Sequence, residues 1–393
     1  MASSKKYNRF DAYLLKGKFR RSGFENWRYV FTGISKATGE QKTFFIELYY
    51  VNPQISPGEA VIAQKTRPKI YDSELQYALA GTLDAKEAVE DEKFVPSYVL
   101  LKAGFLGENS RLFNCFYPAE KLSFVKSEQS FKLDNCIFGK DFLSGRVEVT
   151  GEDLLEKPEL LCSSGSIKWN LHFEKTVESG PLCKTSRNLW APLGAKTVFA
   201  GIVELNGTEY AVVPRSSSGY ISKSWGERPC ENFFHISSSN LTSMISGKSL
   251  GKSCFCVEGE FDKKLKGFIQ IEELKLVLSH KGVLEKYTEI HSCCQMPVDA
   301  DGEKLHWSVS FHKNKFVIDV DIYCKTSQML VRKYEMPEGG RSLLEICGGG
   351  TGFGEIKVFK KVKKNLELLE HVSVMDAICD FGSVDADGEP VGQ

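Results

Sequence analysis

Long apolar runs are missing from this sequence. Charged residues interrupt the hydrophobic segments every few positions, and no stretch approaches the roughly 18 uninterrupted apolar residues that a membrane-crossing helix needs. Stable membrane insertion is therefore not expected. Net charge is missing as well, because 51 Lys plus Arg balance 51 Asp plus Glu. Without an overall positive field, nucleic acid is not an expected partner. The opening residues, Met1 to Phe10, contain neither an apolar core nor a small-residue cleavage site, and Ala2 stands where N-terminal acylation requires glycine. A cytoplasmic location is the expectation, and the 12 cysteines are then expected as free thiols. The close cysteine pairs, Cys254-x-Cys256 and Cys293-Cys294, lack the two-residue gap common in zinc sites, so no metal is expected and no other cofactor is indicated.

Helical periodicity is scarce, whereas alternation of apolar and polar residues is widespread. Turn clusters of Gly, Asn, Asp and Ser recur at short intervals between the alternating segments, the pattern of antiparallel strands. The clearest hairpin spans Thr197 to Pro214, turning at Asn206-Gly207, a pair that tolerates the positive φ angles of a tight primed turn. A second spans Leu305 to Cys324. Its Trp307, Val309 and Phe311 share one face, the chain reverses near Lys313-Asn314, and Phe316, Ile318, Val320 and Ile322 return on one face. Further strands are predicted at Arg28 to Ile34, Thr43 to Val51, Tyr98 to Phe105, Ile167 to Phe173, Cys254 to Val257 and Glu355 to Val362. A short helix is predicted over Asp72 to Leu83, a charged loop over Asp84 to Lys93, and an irregular linker over Lys175 to Leu193.

With 42% hydrophobic and 26% charged residues, 393 residues suit two globular domains, placed at residues 1–180 and 181–393 with the boundary in that linker. Many short strands and few helices predict an all-β protein of two antiparallel barrel halves, since closure removes exposed sheet edges.

Two motifs suggest enzymes and fail on context. Gly247-Lys248-Ser249-Leu250-Gly251 fits the G-x-S-x-G pattern of hydrolases, but a strand-like Cys254-Phe255-Cys256-Val257 follows where a helix is required. Cys347 to Gly354 is rich in glycine yet lacks the Gly-Lys-Ser/Thr ending of a phosphate loop; a bend or bulge explains it better. The sequons at Asn206 and Asn240 carry no weight in a cytoplasmic chain.

Three stretches, taken in order, resemble the tocopherol cyclase-like family. The first is Gly23-Phe24-Glu25-Asn26-Trp27-Arg28-Tyr29 with Phe44-Phe45-Ile46-Glu47-Leu48-Tyr49. The second runs from Ile167-Lys168-Trp169-Asn170 through the Asn-Gly hairpin to Gly219-Tyr220-Ile221-Ser222-Lys223-Ser224-Trp225-Gly226, and the third is Leu344-Glu345-Ile346-Cys347-Gly348-Gly349-Gly350. The resemblance implies two lipocalin-like halves, related in architecture to carotenoid hydratases and some natural-product cyclases. It also implies an apolar, prenylated or isoprenoid ligand and closure of a ring by protonation of an alkene.

Such chemistry needs a dry pocket, a proton donor and aromatic faces. Glu47 shares a strand face with Phe45, Tyr49 and Val51 and is the expected proton donor. His235 is a second catalytic candidate, with Asn240 beside it to orient a polar head group. Trp27, Phe45, Tyr49, Tyr220 and Trp225 are the expected pocket lining. The chain departs from the family's pattern at Ser222 and Ser224, where an acid and an amide are usual, and at Asn232 to Ser237, where tryptophans are fewer. Cyclisation or isomerisation of an apolar molecule is the first expectation, a non-catalytic carrier or sensor the second, and a purely structural interaction module the third.

Overall fold

The computed structural model describes residues 15–63, 80–81, 94–125, 127–184, 188–261, 264–279, 290–297, 303–340 and 342–385. The first sheet holds β1 (Phe24–Ser35), β2 (Gln41–Val51), β3 (Tyr98–Leu106), β4 (Arg111–Tyr117), β5 (Leu122–Val125), β6 (Ser130–Leu133), β7 (Cys136–Phe138), β8 (Phe142–Val149), β9 (Gly165–Val177), β10 (Cys183–Lys184), β11 (Asn188–Gly194), β12 (Lys196–Leu205), β13 (Thr208–Val212) and β14 (Gly219–Gly226). The second holds β15 (Asn232–Ser238), β16 (Asn240–Ser243), β17 (Cys254–Glu260), β18 (Lys264–Ile271), β19 (Leu274–Ser279), β20 (Ile290–Pro297), β21 (Lys304–Lys313), β22 (Phe316–Lys325), β23 (Leu330–Glu335), β24 (Leu343–Val362) and β25 (Asn365–Asp385). Among the described residues α-helix is confined to α1 (Gly151–Glu156), which Thr150 and Asp153 cap reciprocally. No described helix is long and apolar enough to cross a membrane.

The 14-stranded sheet runs β10-β11-β14-β1-β13-β12-β9-β8-β7-β6-β5, with β2, β3 and β4 continuing from β1; the 11-stranded sheet runs β19-β18-β17-β15-β25-β24-β22-β21-β20, with β16 on β25 and β23 on β24. The protein is nearly all β and forms two barrel-like halves, as the alternation predicts. Both hairpins are present. Asn206 (φ 49°) and Gly207 (φ 82°) make the primed turn that joins β12 to β13. In the second hairpin Trp307, Val309 and Phe311 pack with Ile318, Val320 and Ile322, while Phe316 lies at the margin of that cluster.

Three expectations need comment. The segment Lys175–Leu193 is not an irregular linker throughout: it contains the end of β9, all of β10 and most of β11. The chain passes from one sheet to the other downstream of it, between Gly226 and Asn232. The helix over Asp72 to Leu83 and the loop over Asp84 to Lys93 lie outside the described residues, apart from residues 80–81.

Each half fills its interior with its own side chains. In the first, Trp27, Tyr29 and Phe31 of β1 meet Phe44, Ile46 and Leu48 of β2 and Trp169 and Leu171 of β9. These are alternate residues, so the intervening ones point away from that barrel. They are buried as well, because the second half covers the outer face of β1, β2 and β3. Along this seam Val30, Phe45 and Tyr220 pack on Cys254, Cys256 and Phe268, and Phe24 and Tyr49 pack on Tyr334, Leu344 and Ile346.

Candidate ligand site at the seam

Two polar rows, one in each sheet, meet across the apolar clusters of the seam. In the first sheet the strand register sets Ser222, Arg28, Glu47, Lys102 and Asn114 side by side across β14, β1, β2, β3 and β4. In the second it sets Glu258, His235, Asp380 and Gly348 side by side across β17, β15, β25 and β24. Arg332 enters from β23.

Two arginines and two carboxylates close a buried ring between the halves. Arg28 Nε lies 3.1 Å from Glu47 Oε1, and Arg28 Nη1 donates to Asp380 Oδ2. Arg332 Nη1 donates to Glu47 Oε1, and Arg332 Nη2 lies 3.1 Å from Asp380 Oδ1. The Tyr334 hydroxyl donates to Glu47 Oε2. Burial pushes the Asp380 carboxyl up, but Arg28 and Arg332 outweigh it and hold the group below the usual carboxylate range. The Tyr334 phenol is pushed well up, first by burial and then by Glu47, and so remains a donor.

A pocket opens at the edge of this ring. Phe24, Tyr49, Phe233, Leu344 and Ile346 form apolar walls, while Arg28, Glu47, Arg332 and Tyr334 form the floor. Asn26, Asn188, Ser222, Ser224 and Glu258 add further polar lining. The enclosed space is about 50 Å³, room for a few waters or for one end of a larger molecule.

No family model matches this chain. No curated protein matches it either. Two solved structures are similar to it at low identity. A chain from Nitrosomonas europaea that carries the AttH name is 10% identical with a TM-score of 0.37, over 90% of this chain and 92% of that one. Kievitone hydratase from Nectria haematococca is 10% identical with a TM-score of 0.38, over 91% of this chain and 89% of its own. Likeness this distant transfers no activity.

The residues expected at a site fall into three places. Glu47 and Tyr49 line the seam pocket; Phe45 and Tyr220 lie in the adjoining apolar cluster. His235, fully buried, packs 5.4 Å from Tyr220 and sets Nδ1 2.9 Å from Glu258 Oε2 and Nε2 2.9 Å from Ser237 Oγ. Trp27 and Trp225 belong to the interior of the first barrel, where Lys223 Nζ lies 4.5 Å and 5.6 Å from their rings and pairs with Glu25. The structure does not bring these two tryptophans to the seam, because each is offset by one residue from the seam-facing positions of its strand. Asn240 is also elsewhere, donating from Nδ2 to Asp376 Oδ2 at 2.7 Å.

Glu47 lines the pocket, with Oε1 accepting from Arg332 and Oε2 accepting from Tyr334. Burial pushes the Glu258 carboxyl up, against the opposing influence of His235. Sequence reasoning missed the seam residues Arg28, Glu258, Arg332, Tyr334 and Asp380, and it missed Lys102, which lies beside the seam pocket without lining it. A signal was available for some: Lys102 is a lone charge in the apolar run Tyr98–Leu106, and Glu258 continues the face of Cys254 and Cys256.

Lys102 carries a testable consequence for stability. Burial lowers its pKa to about 7, despite Glu47, from an ordinary value near 10.5. In that window the unfolded chain binds a proton that the folded chain does not. Stability from this group is therefore complete above about pH 10.5 and is lost as pH falls toward 7. Relative to Lys102→Met, the wild type is expected to lose about 1.4 kcal/mol for each pH unit of descent. Urea titrations of both proteins at pH 7 and pH 9 check this, and parallel behaviour of the two would refute it.

Proposed function

We propose that the protein holds a small molecule in the seam pocket, apolar along most of its length and bearing an oxygen at one end. The observation that carries this reading is the meeting of apolar walls with a floor whose Arg28 Nη2 is buried and has no hydrogen-bond partner among the described residues. A ligand oxygen would supply that partner, which a buried donor otherwise lacks at a cost of about 1–3 kcal/mol. The enclosed space suits the oxygen-bearing end, leaving the apolar body toward the mouth. A prenylated or isoprenoid ligand agrees with the resemblance to tocopherol cyclases. Ser222 and Ser224, where this chain departs from that family, line the pocket itself, which favours a different substrate.

The catalytic form of this reading gives Glu258 the role of acid. Its proton passes to an alkene carbon of the ligand, the ligand's own hydroxyl captures the tertiary cation, and the hydroxyl proton returns to the carboxylate. The outcome is cyclisation with no net consumption of acid. Glu258→Gln is expected to lower turnover by about 10²–10⁴-fold while ligand binding changes only a few-fold. Because the acid form is the active one, activity should fall as pH rises through the elevated Glu258 pKa.

Non-catalytic carriage is the second reading. The approach of His235 to Glu258 at 2.9 Å favours it, since that contact stabilises the charged carboxylate. Native mass spectrometry of the purified protein, with extraction of what co-purifies, comes first. A bound isoprenoid that the wild type leaves unchanged would select the carrier; an empty protein that fails to bind prenylated quinols would sink both readings.

A further inference from the structure

Lys102 is a buried amine that the seam pocket does not use. It is 1% exposed in a strand whose nine residues are all buried. Its Nζ lies 3.5 Å from Asn114 Oδ1, at the outer limit of a hydrogen bond, and 4.7 Å from the centre of the Tyr334 ring. Among the described residues Lys102 forms no ion pair. Burial therefore outweighs the pull of Glu47 and leaves much of the amine neutral near pH 7. The same residue lines a second, smaller pocket of about 20 Å³, together with Tyr98, Asn114, Phe116, Leu160 and Glu335. Tyr334 is part of the seam pocket and not of this one.

We propose that Lys102 is the nucleophile of a second site, which captures a small aldehyde or ketone as a Schiff base. An amine desolvated by burial, in a recess where Tyr98, Phe116 and Leu160 alternate with Glu159, Lys333 and Glu335, is an arrangement that activates an amine nucleophile, since burial and a neighbouring cation both favour its neutral form. The nitrogen lone pair attacks the carbonyl carbon, the C=O π pair moves to oxygen, and one proton passes from the nitrogen to that oxygen to give the carbinolamine. The hydroxyl then takes a second proton and leaves as water while the nitrogen gives up its remaining proton and forms C=N; Glu335, in the same pocket, is the group to carry both protons from nitrogen to oxygen. One amine and one carbonyl give one imine and one water, and no oxidant or reductant enters. A pocket with room for about one water admits the carbonyl end of a short, unbranched compound and excludes bulky ones.

The test uses the intact folded protein with acetaldehyde and sodium cyanoborohydride at pH 7, followed by peptide mapping. Ethylation at Lys102 is expected at least tenfold faster than at the exposed lysines Lys18 and Lys248, and pivaldehyde, branched beside its carbonyl, should label Lys102 no faster than it labels them. Labelling of Lys102 at or below the rate of the exposed lysines, or only after denaturation, would overturn the proposal and leave Lys102 a structural filler beside Tyr334. Lys102→Arg controls for folding: it should retain the seam pocket's ligand affinity and lose the fast-labelled peptide. Retention of seam binding in that variant separates this site from the seam reading, since either can fail alone.

Discussion

Arg332→Met should destabilise the protein by about 3–5 kcal/mol, the usual consequence of leaving buried charge without its partner. Methionine fills most of the space that the arginine stem occupies, so lost packing is a minor part of the effect. What remains is Glu47 and Asp380 sharing the single guanidinium of Arg28, all within a seam from which water is largely excluded. Glu47→Gln alone should be costly for the mirrored reason, since two guanidiniums would then share Asp380. Combining Glu47→Gln with Arg332→Met restores a one-to-one balance between Arg28 and Asp380. The double variant is expected to lose less than the sum of the singles, with a coupling of about 1–3 kcal/mol. Urea denaturation of the four proteins measures this directly. A loss below about 1 kcal/mol for Arg332→Met would mean that the ring is solvated and does not clamp the halves.

Gly348→Ala is the second large effect. A Cβ there would stand 2.0 Å from Asp380 Oδ1 and 2.8 Å from Arg332 Nη2. Both groups belong to the ring, so neither can withdraw without breaking an ionic contact. The expected loss is about 1–3 kcal/mol from overpacking, increased by whatever part of the Arg332–Asp380 contact is broken. Gly251→Ala is the matched control, because a Cβ at Gly251 meets nothing within 4 Å; its effect should stay within about 0.5 kcal/mol. Equal melting temperatures for the two variants would remove the steric argument. This also assigns a physical reason to one glycine of the Cys347–Gly354 run, which lies within β24 as a strand with bulges rather than as a phosphate loop.

Much of the fold was legible because its signals are local. Asn206-Gly207 can adopt two consecutive positive φ angles, so the hairpin announces itself within a few residues. Trp307, Val309 and Phe311 alternate with polar residues, so their shared face follows from strand geometry alone. The site was legible only in part. Glu47, Phe45 and Tyr49 could be placed on one face, but β1 and β2 are buried on both faces, so alternation could not say which face looks into a barrel and which meets the other half. Trp27 and Arg28 show the outcome: neighbours in sequence, one in the barrel interior and the other in the seam.

The sequence by itself determined that this is a strand-rich protein with two antiparallel, barrel-like halves, because strand period and turn chemistry act over a few residues. Only the tertiary structure decided what the seam contains. Glu47 meets Arg332 and Tyr334 across 285 and 287 residues of chain, and Arg28 meets Asp380 across 352. Whether a buried carboxylate is a free acid or the anchor of an ionic ring depends on which charges lie within a few ångströms of it, and that distance is set by how the two sheets pack.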